Sequence, residues 1–435
     1  MTSAPQLSEQ PSRTTAPSES DWAYLEEVEL QGHIIDSLLL PKVLDEILTR
    51  AGQYVLKEIR VGQRQEDPSY ARIEVRASSP ERLREILDAI HAHGATPVVQ
   101  RDCQYVPADM DGAFPENFYS TTNYRTQVRL GGQWIDVERI EMDCGILVDP
   151  AARRARTIAM AHVKRGDCIV VGHEGIRVFP VGQERRQHLF EFMSSAVSSE
   201  KPKNVTVREV AAQMIRTRAA SQTILAVLGP AVVHTGGVEH ICELIRMGFV
   251  NILFAGNALA AHDIEQAMFG TSLGVYLERG LPAEEGHEHH LRAINTIRRL
   301  GGIRAAVDKG VLCSGIMYEC IRQNVPFVLA GSIRDDGPLP EVITDVLAAQ
   351  DAMRHYIHEG HVGMCLMVAT LLHSVAVGNL LPAWVRVACV DINPAAVTKL
   401  MDRGSMQTVG IVTDAEPFLR SLVAELRQRA SAAPA

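Results

Sequence analysis

Residues 385–394 read Val-Arg-Val-Ala-Cys-Val-Asp-Ile-Asn-Pro, a run whose last apolar stretch stops at an acid and then at a proline. A short apolar run closed by turn residues suits a strand covered on both faces, the situation of a strand in a parallel sheet. Ile224–Leu228, Asn251–Phe254, Phe327–Leu329 and Thr408–Val412 share the pattern, and helical stretches separate them. Residues 205–430 are therefore expected to form a Rossmann-like α/β domain on a parallel sheet.

In an open parallel sheet, ligands bind beyond the carboxyl ends of the strands. The unusual residues of this chain stand there. The run ending at Leu228 passes into Gly229-Pro230, and His234-Thr235-Gly236-Gly237 follows. The next ends in Ala255-Gly256-Asn257-Ala258, and another in Ala330-Gly331-Ser332-Ile333-Arg334-Asp335-Asp336-Gly337. Small residues let the backbone approach a ligand, and each following helix offers N–H groups to a phosphate. Asp391 follows four apolar residues at a strand end, where a carboxylate accepts hydrogen bonds from ribose hydroxyls; the alternative is an N-cap for the helix that starts at Pro394. No GxGxxG occurs, so spacing alone points to a nucleotide-type ligand without naming it.

Other polar clusters carry two readings each. Asp335 and Asp336 cannot both face one way; one faces the cleft while the other caps a helix, or the pair is a surface turn. Arg334 beside them suits a carboxylate ligand. His373-Ser374 is a core pair or a cleft contact. Arg125 and Asn123 suit an amino acid's carboxylate and amine respectively, or loop capping. His262-Asp263 with His287, His289 and His290 suggests a metal site at first sight. Yet Leu291, Ile294, Ile297 and Leu300 put the second group on an amphipathic helix, where His287 and His290 share a face and His289 does not. No metal is expected, and His262 reads as a cap or a cleft histidine. Cys144 has no evident base, so cysteine nucleophile chemistry is not expected.

The remaining sequence frames this domain. At 435 residues the chain calls for two or three domains. Hydrophobic content of 46% excludes a disordered chain, and a net charge of −9 without a basic stretch excludes nucleic acid as the main partner. Residues 1–22, rich in Ser, Thr, Pro and Gln, read as a disordered tail without a signal peptide's apolar core. Residues 23–107 read as a ferredoxin-like α+β domain in the order βαββαβ, with Ile73 and Val75 alternating against Arg72, Glu74 and Arg76. One helix would bury Val43, Leu44, Ile47 and Leu48; the other opens with Ser79 and Pro80. Residues 108–200 read as a small β-rich domain. Gly131-Gly132 joins one hairpin there, and Cys168–Val171 and Ile176–Phe179 form a second pair; Ser195–Asn204 would be a linker. Eight scattered cysteines without a CxxC pair read as reduced and buried. The most membrane-like run, Val362–Leu381, carries His373, Ser374 and Asn379 and is expected to be a buried core helix. A cytoplasmic protein with no membrane partner follows, and the ferredoxin-like unit suggests a homo-oligomer.

Several strings together resemble a known family. They are Gly256-Asn-Ala-Leu-Ala-Ala-His-Asp-Ile-Glu, Thr271-Ser-Leu-Gly, Gly315-Ile-Met-Tyr-Glu-Cys, Ala330-Gly-Ser-Ile-Arg-Asp-Asp-Gly-Pro-Leu-Pro, Leu372-His-Ser and Val390-Asp-Ile-Asn-Pro. Over roughly residues 22–425 the chain is similar to the archaeal and cyanobacterial type of ornithine cyclodeaminase. Its N-terminal part resembles the conserved region of bifunctional lysine-ketoglutarate reductase/saccharopine dehydrogenase. The resemblance implies an NAD-dependent ammonia-lyase. NAD takes hydride from the Cα of L-ornithine, the distal amine attacks the resulting imine, ammonia leaves, and the cyclic imine is reduced to L-proline. For this chemistry we expect Asp335 as amine partner or base and Arg334 or Arg125 as carboxylate partner, with His262 a further catalytic candidate. NAD contacts are expected at Asn257, Ala258, Ser314, Gly315, Ala330, Gly331, Ser332, His373, Asp391 and Asn393. The cyanobacterial form is fused to an arginine-dihydrolase domain for which this chain has no room, so arginine is not expected as substrate. The rival expectations are an amino-acid or saccharopine-type dehydrogenase and a non-enzymatic nucleotide-binding regulator.

Overall fold

A computed structural model describes residues 22, 24–32, 34–35, 38–62, 67, 69–91, 93–98, 101–179, 203–273, 275–276, 288–335, 337–403 and 408–432. The chain divides into two units: residues 1–103 with 128–133 and 173–184, and residues 104–127 with 134–172 and 185–435.

In the first unit, β1 (Tyr24–Gly32), α1 (Leu39–Thr49), β2 (Gln53–Arg60), β3 (Ser69–Ala77), α2 (Pro80–His91) and β4 (Thr96–Pro97) follow one another. Their sheet order, β2-β3-β1-β4, with every pairing antiparallel, is the ferredoxin-like arrangement. Alternation explains it: Ala71, Ile73 and Val75 are buried against Val43, Ile47, Ile86 and Ile90, while Glu74 on the other face pairs with Lys57 and Arg76. Ser79 caps α2 by accepting the Arg82 N–H at 3.1 Å. Leu48, expected in this core, is exposed, because the buried stripe of α1 runs through Leu39, Leu40, Val43 and Ile47 instead.

The β-rich stretch supplies β5 (Gln104–Pro107), β6 (Arg125–Leu130), β7 (Gln133–Glu138), β8 (Gly145–Asp149), β9 (Arg154–Ile158), β10 (Cys168–Val171) and β11 (Ile176–Phe179). Gly131 and Gly132, between β6 and β7, both take positive φ (57° and 78°), as a two-residue hairpin turn demands. The expected pairing of β10 with β11 does not form; β10 pairs antiparallel with β5 and β8. The chain leaves that register at Gly175, whose φ is 66° and whose missing Cβ would stand 2.2 Å from the Cys103 nitrogen. Only glycine lets the backbone pass there. Of the expected linker, residues 195–202 lie outside the described residues, and Lys203 already begins a helix.

The rest of the second unit alternates strand and helix: α3 (Lys203–Ala219), β12 (Thr223–Leu228), α4 (Ala231–His234), α5 (Val238–Arg246), β13 (Ile252–Gly256) and α6 (Asn257–Phe269). Then come the short pair β14 (Thr271–Ser272) and β15 (Val275–Tyr276), α7 (His289–Leu300), α8 (Ile303–Asp308), α9 (Ile316–Arg322), β16 (Phe327–Ala330), β17 (Val342–Ile343) and α10 (Val346–Glu359). β18 (Val362–Val368), α11 (Leu372–Leu380), β19 (Arg386–Asp391), α12 (Pro394–Arg403), β20 (Thr408–Val412) and α13 (Ala415–Ala432) complete it. The sheet order is β17-β16-β13-β12-β18-β19-β20 and all pairings are parallel. Strand order reverses between β12 and β18, the place where a doubly wound fold opens a crevice.

Successive strand residues enter different cores. Ile224, Ala226 and Leu228 of β12 join Leu366 and Val390 in one cluster with helices α3, α5, α6 and α13. Leu225 and Val227 join Cys365, Val387 and Cys389 in the other, with α10, α11 and α12. Because both faces are dry, these strands carry no polar alternation. The same effect misled the reading of Val362–Leu381 as one helix. Its first seven residues form β18, every one buried, and Ala369 at φ 53° turns the chain before α11 starts. Among the described residues no helix is long and apolar enough to cross a membrane.

Candidate active site

The carboxyl ends of β12, β13, β16, β18 and β19 place glycines and polar side chains along one edge. At the reversal point Gly229 donates its N–H to the Val368 carbonyl at 2.9 Å. A Cβ on Gly229 would stand 1.9 Å from the Ala369 carbonyl oxygen, so the two strand ends approach as closely as backbone allows. At the end of β13 a Cβ on Gly256 would lie 2.9 Å from His373 Cε1 and 3.6 Å from the Ala330 oxygen. Residues from β13, β16 and α11 therefore meet above this glycine.

Asn257 and Asp335 join the same group. Asn257 Nδ2 donates to Asp335 Oδ1 at 3.3 Å, and the Ser332 N–H donates to Asp335 Oδ2 at 2.8 Å. Asn257 Oδ1 accepts the Leu339 N–H at 3.0 Å, which ties the loop after β16 to the start of α6. His373 is partly buried beside them; burial holds its imidazole below the usual histidine range, and the Asp335 carboxylate offsets this in part. It is thus neutral at neutral pH and able to take a proton. One residue on, the fully buried Ser374 hydroxyl has no hydrogen-bond partner among the described residues. Arg334 is exposed in this loop, its N–H held by Ser332 Oγ at 3.2 Å. Asp336 lies outside the described residues.

Asp391, half-buried at the end of β19, accepts the Asn393 N–H at 2.8 Å through Oδ1. Asn393 in turn accepts the Ala395 N–H at 3.0 Å, so the cap of α12 is Asn393 rather than Asp391. Ala258 and Ser314 are exposed, and Gly331 is partly buried. Gly315 has φ 101°, and a Cβ there would stand 2.9 Å from both oxygens of the Asp263 carboxylate. Arg125 is held elsewhere: on β6, Asp136 grips its guanidinium through Nε (2.8 Å) and Nη2 (3.1 Å), occupying the fork that a substrate carboxylate would need.

Two buried acids went unassigned from the sequence. Asp263, fully buried in α6, accepts the Ile316 and Met317 N–H groups at 2.8 Å each and so anchors the N-terminus of α9 next to Ser314-Gly315. Burial raises its pKa to about 7 against the pull of those two hydrogen bonds. Glu265, also fully buried, accepts from Thr271 Oγ1 at 3.0 Å and stands 2.8 Å from His262 Nδ1. His262 packs edge-on against His234 with ring centroids 4.8 Å apart, and His234 Nδ1 is 2.6 Å from Ser272 Oγ. Thr271 Oγ1 also lies 2.8 Å from His289 Nδ1. The signal in the sequence was acids set among Ala260, Ala261 and Ile264 on one helix. Among the described residues no group of three or more His, Cys, Asp and Glu is arranged for a metal ion. Burial, with Glu141 nearby, pushes the Cys144 thiol up to about 12, which makes it a poor nucleophile.

This edge suits a dinucleotide. Asp391 has a second oxygen without a hydrogen bond among the described residues, for a ribose diol. Exposed Ile333, Leu371, Leu372 and Ile392 sit at the ends of β16, β18 and β19, where flat rings would cover them.

Known proteins match along most of the chain. The family described as "Arginine dihydrolase ArgZ-like, C-terminal, Rossmann fold" covers residues 208–422, its "first region" covers 125–207, and the "LOR/SDH bifunctional enzyme conserved region" covers 25–124. The ornithine cyclodeaminase of Methanothermobacter thermautotrophicus is 53% identical over 403 residues, 92% of this chain and 98% of that protein. The apo structure of ArgZ, a cyanobacterial arginine dihydrolase, superposes with TM-score 0.80 at 37% identity over 94% of this chain and 59% of ArgZ. The ternary complex of AgrE with ornithine and NAD⁺ matches with TM-score 0.52 at 41% identity, over 94% of this chain and 58% of AgrE.

Proposed function

The chain belongs to the archaeal and cyanobacterial ornithine cyclodeaminase family, which includes the C-terminal part of ArgZ and AgrE, and on that premise we propose that it converts L-ornithine to L-proline and ammonia with NAD as its resident cofactor. The observation that carries this reading is the meeting of Asn257, Asp335 and His373 over Gly256, on the sheet edge that ends in Asp391. A relative that holds ornithine and NAD⁺ together supports the same pairing of ligands here.

The residues that would hold NAD are Asp391 at a ribose and the strand ends at Asn257-Ala258, Ser314-Gly315 and Ala330-Gly331-Ser332 at the remainder. When bound, NAD would supply a reversible hydride acceptor for the substrate Cα hydrogen, so that the overall reaction has no net oxidation.

The chain's own groups handle protons, charge and water. Asp335 takes a proton from the substrate amine, since an amine attacks carbon only when neutral. Its orientation is set by the Ser332 N–H and the Asn257 amide. His373, kept neutral by burial, is the second proton acceptor at the same place. Arg334 faces the substrate carboxylate, where a guanidinium forms a two-point contact. His262, oriented by Glu265, is assigned to the distal end of the substrate. Ile333, Leu371 and Leu372 shed water once ligands cover them, which protects the imine from hydrolysis.

The test is to incubate the protein with L-ornithine and a catalytic amount of NAD⁺ and to assay proline and ammonia. Equal amounts of both, without lasting NADH absorbance, support the cyclodeaminase. NADH that accumulates with an amino acid, without proline, would replace it with a dehydrogenase.

A further inference from the structure

A second polar cavity lies away from the sheet edge, between α10 and the strands of the β-rich stretch, with a volume of about 340 Å³. Its walls carry Arg139, Arg156 and Arg354 with three histidines, against only Glu141 and Asp351. The acids are already balanced. Arg354 donates through Nε to Glu141 at 2.8 Å and through Nη1 to Asp351 at 2.9 Å, and His162 Nε2 stands 2.7 Å from Asp351. At the rim Arg139 pairs with Glu359 at 2.9 Å. Arg156 has no carboxylate within ion-pair distance among the described residues; its guanidinium makes one long contact, 3.5 Å to the Thr157 carbonyl. The His358 side chain is only 9% exposed, and its Nε2 is buried without a hydrogen-bond partner, the nearest carboxylate oxygen, on Glu141, being 3.9 Å away. His355 completes the wall.

We propose that this cavity binds a small multivalent oxyanion, held by the Arg156 guanidinium and the His358 and His355 imidazoles. A cationic or apolar occupant would leave the buried His358 Nε2 without a partner and would gain nothing from the exposed Arg156 guanidinium. An oxyanion satisfies both through charge-assisted hydrogen bonds. The cavity is separate from the proposed NAD site, because it lines the flank of α10 and not the carboxyl ends of the strands.

The protein, saturated with NAD, is titrated in a calorimeter with inorganic phosphate and, separately, with succinate. One saturable site with Kd of about 1 mM or tighter for either probe is expected. The preferred probe tells a phosphoryl ligand from a carboxylate. Arg156→Ala, at an exposed position, should weaken binding roughly tenfold or more while the anion-free melting temperature stays put. His358→Gln, which keeps a hydrogen-bond donor but no charge, should weaken it less. Absence of saturable binding by both probes, or affinity unchanged in both variants, overturns the proposal.

Discussion

Asp263→Asn isolates one buried charge. The wild-type carboxylate is fully buried, and burial raises its pKa to about 7 against the two N–H groups of Ile316 and Met317 that it accepts. In the unfolded chain an aspartate titrates near 3.9. The folded state therefore binds more protons than the unfolded state between these values, and stability falls as pH rises through that window. At about 1.36 kcal/mol per unit, the stretch from pH 5 to pH 8 costs the wild type about 2.5 kcal/mol at this residue. Asparagine does not titrate. It keeps one oxygen for one N–H and turns an amide donor toward the other, a roughly constant cost of about 1–3 kcal/mol. The difference in stability between the two proteins should thus move by about 2.5 kcal/mol in favour of the variant from pH 5 to pH 8. Urea unfolding followed by circular dichroism at four pH values measures it, and other titrating groups cancel in the comparison. Parallel pH profiles for the two proteins would refute the reasoning. Because Asp263 anchors α9 beside Ser314-Gly315, the variant should also bind NAD more weakly.

Gly229→Ala places a methyl group 1.9 Å from the Ala369 carbonyl oxygen, where only backbone could yield; the cost should reach or exceed the upper end of the usual overpacking range, about 3 kcal/mol, and an unchanged melting temperature would contradict it. Asp391→Ala should weaken NAD by roughly 1–3 kcal/mol in a binding titration with little change in stability, and unchanged affinity would remove Asp391 from the ribose. Asp335→Ala should lower turnover of ornithine while NAD still binds; normal turnover would exclude it as the amine's base.

The sequence by itself determined the class of this protein and most of its strands. Ile224–Leu228 and Val387–Val390 were legible because a strand buried on both faces must be continuously apolar, and β3 because a half-exposed strand must alternate. Small residues at the strand ends marked the candidate cofactor edge for the same local reason: backbone reaches a ligand only where side chains are absent. Local pattern failed where two states share one signature. Seven buried residues, Val362–Val368, fit a core helix as well as a central strand, and only pairing with β12 and β19 decides between them. The edge strand β17 is two residues long and left no pattern at all.

Tertiary structure alone brought Asn257 to Asp335, 78 residues apart, and Asp263 to the N–H groups of α9, 53 and 54 residues on. It also spent Arg125 on Asp136, made Asn393 the helix cap, and brought Arg156, which has no acid within ion-pair distance among the described residues, to the same cavity as the buried His358. The physical reason is common to all of these. Burial and backbone period are properties of a residue and its near neighbours, so they are written along the chain. The partner of a polar group is set by which elements the two cores bring together, and no short window of sequence contains both halves of such a contact.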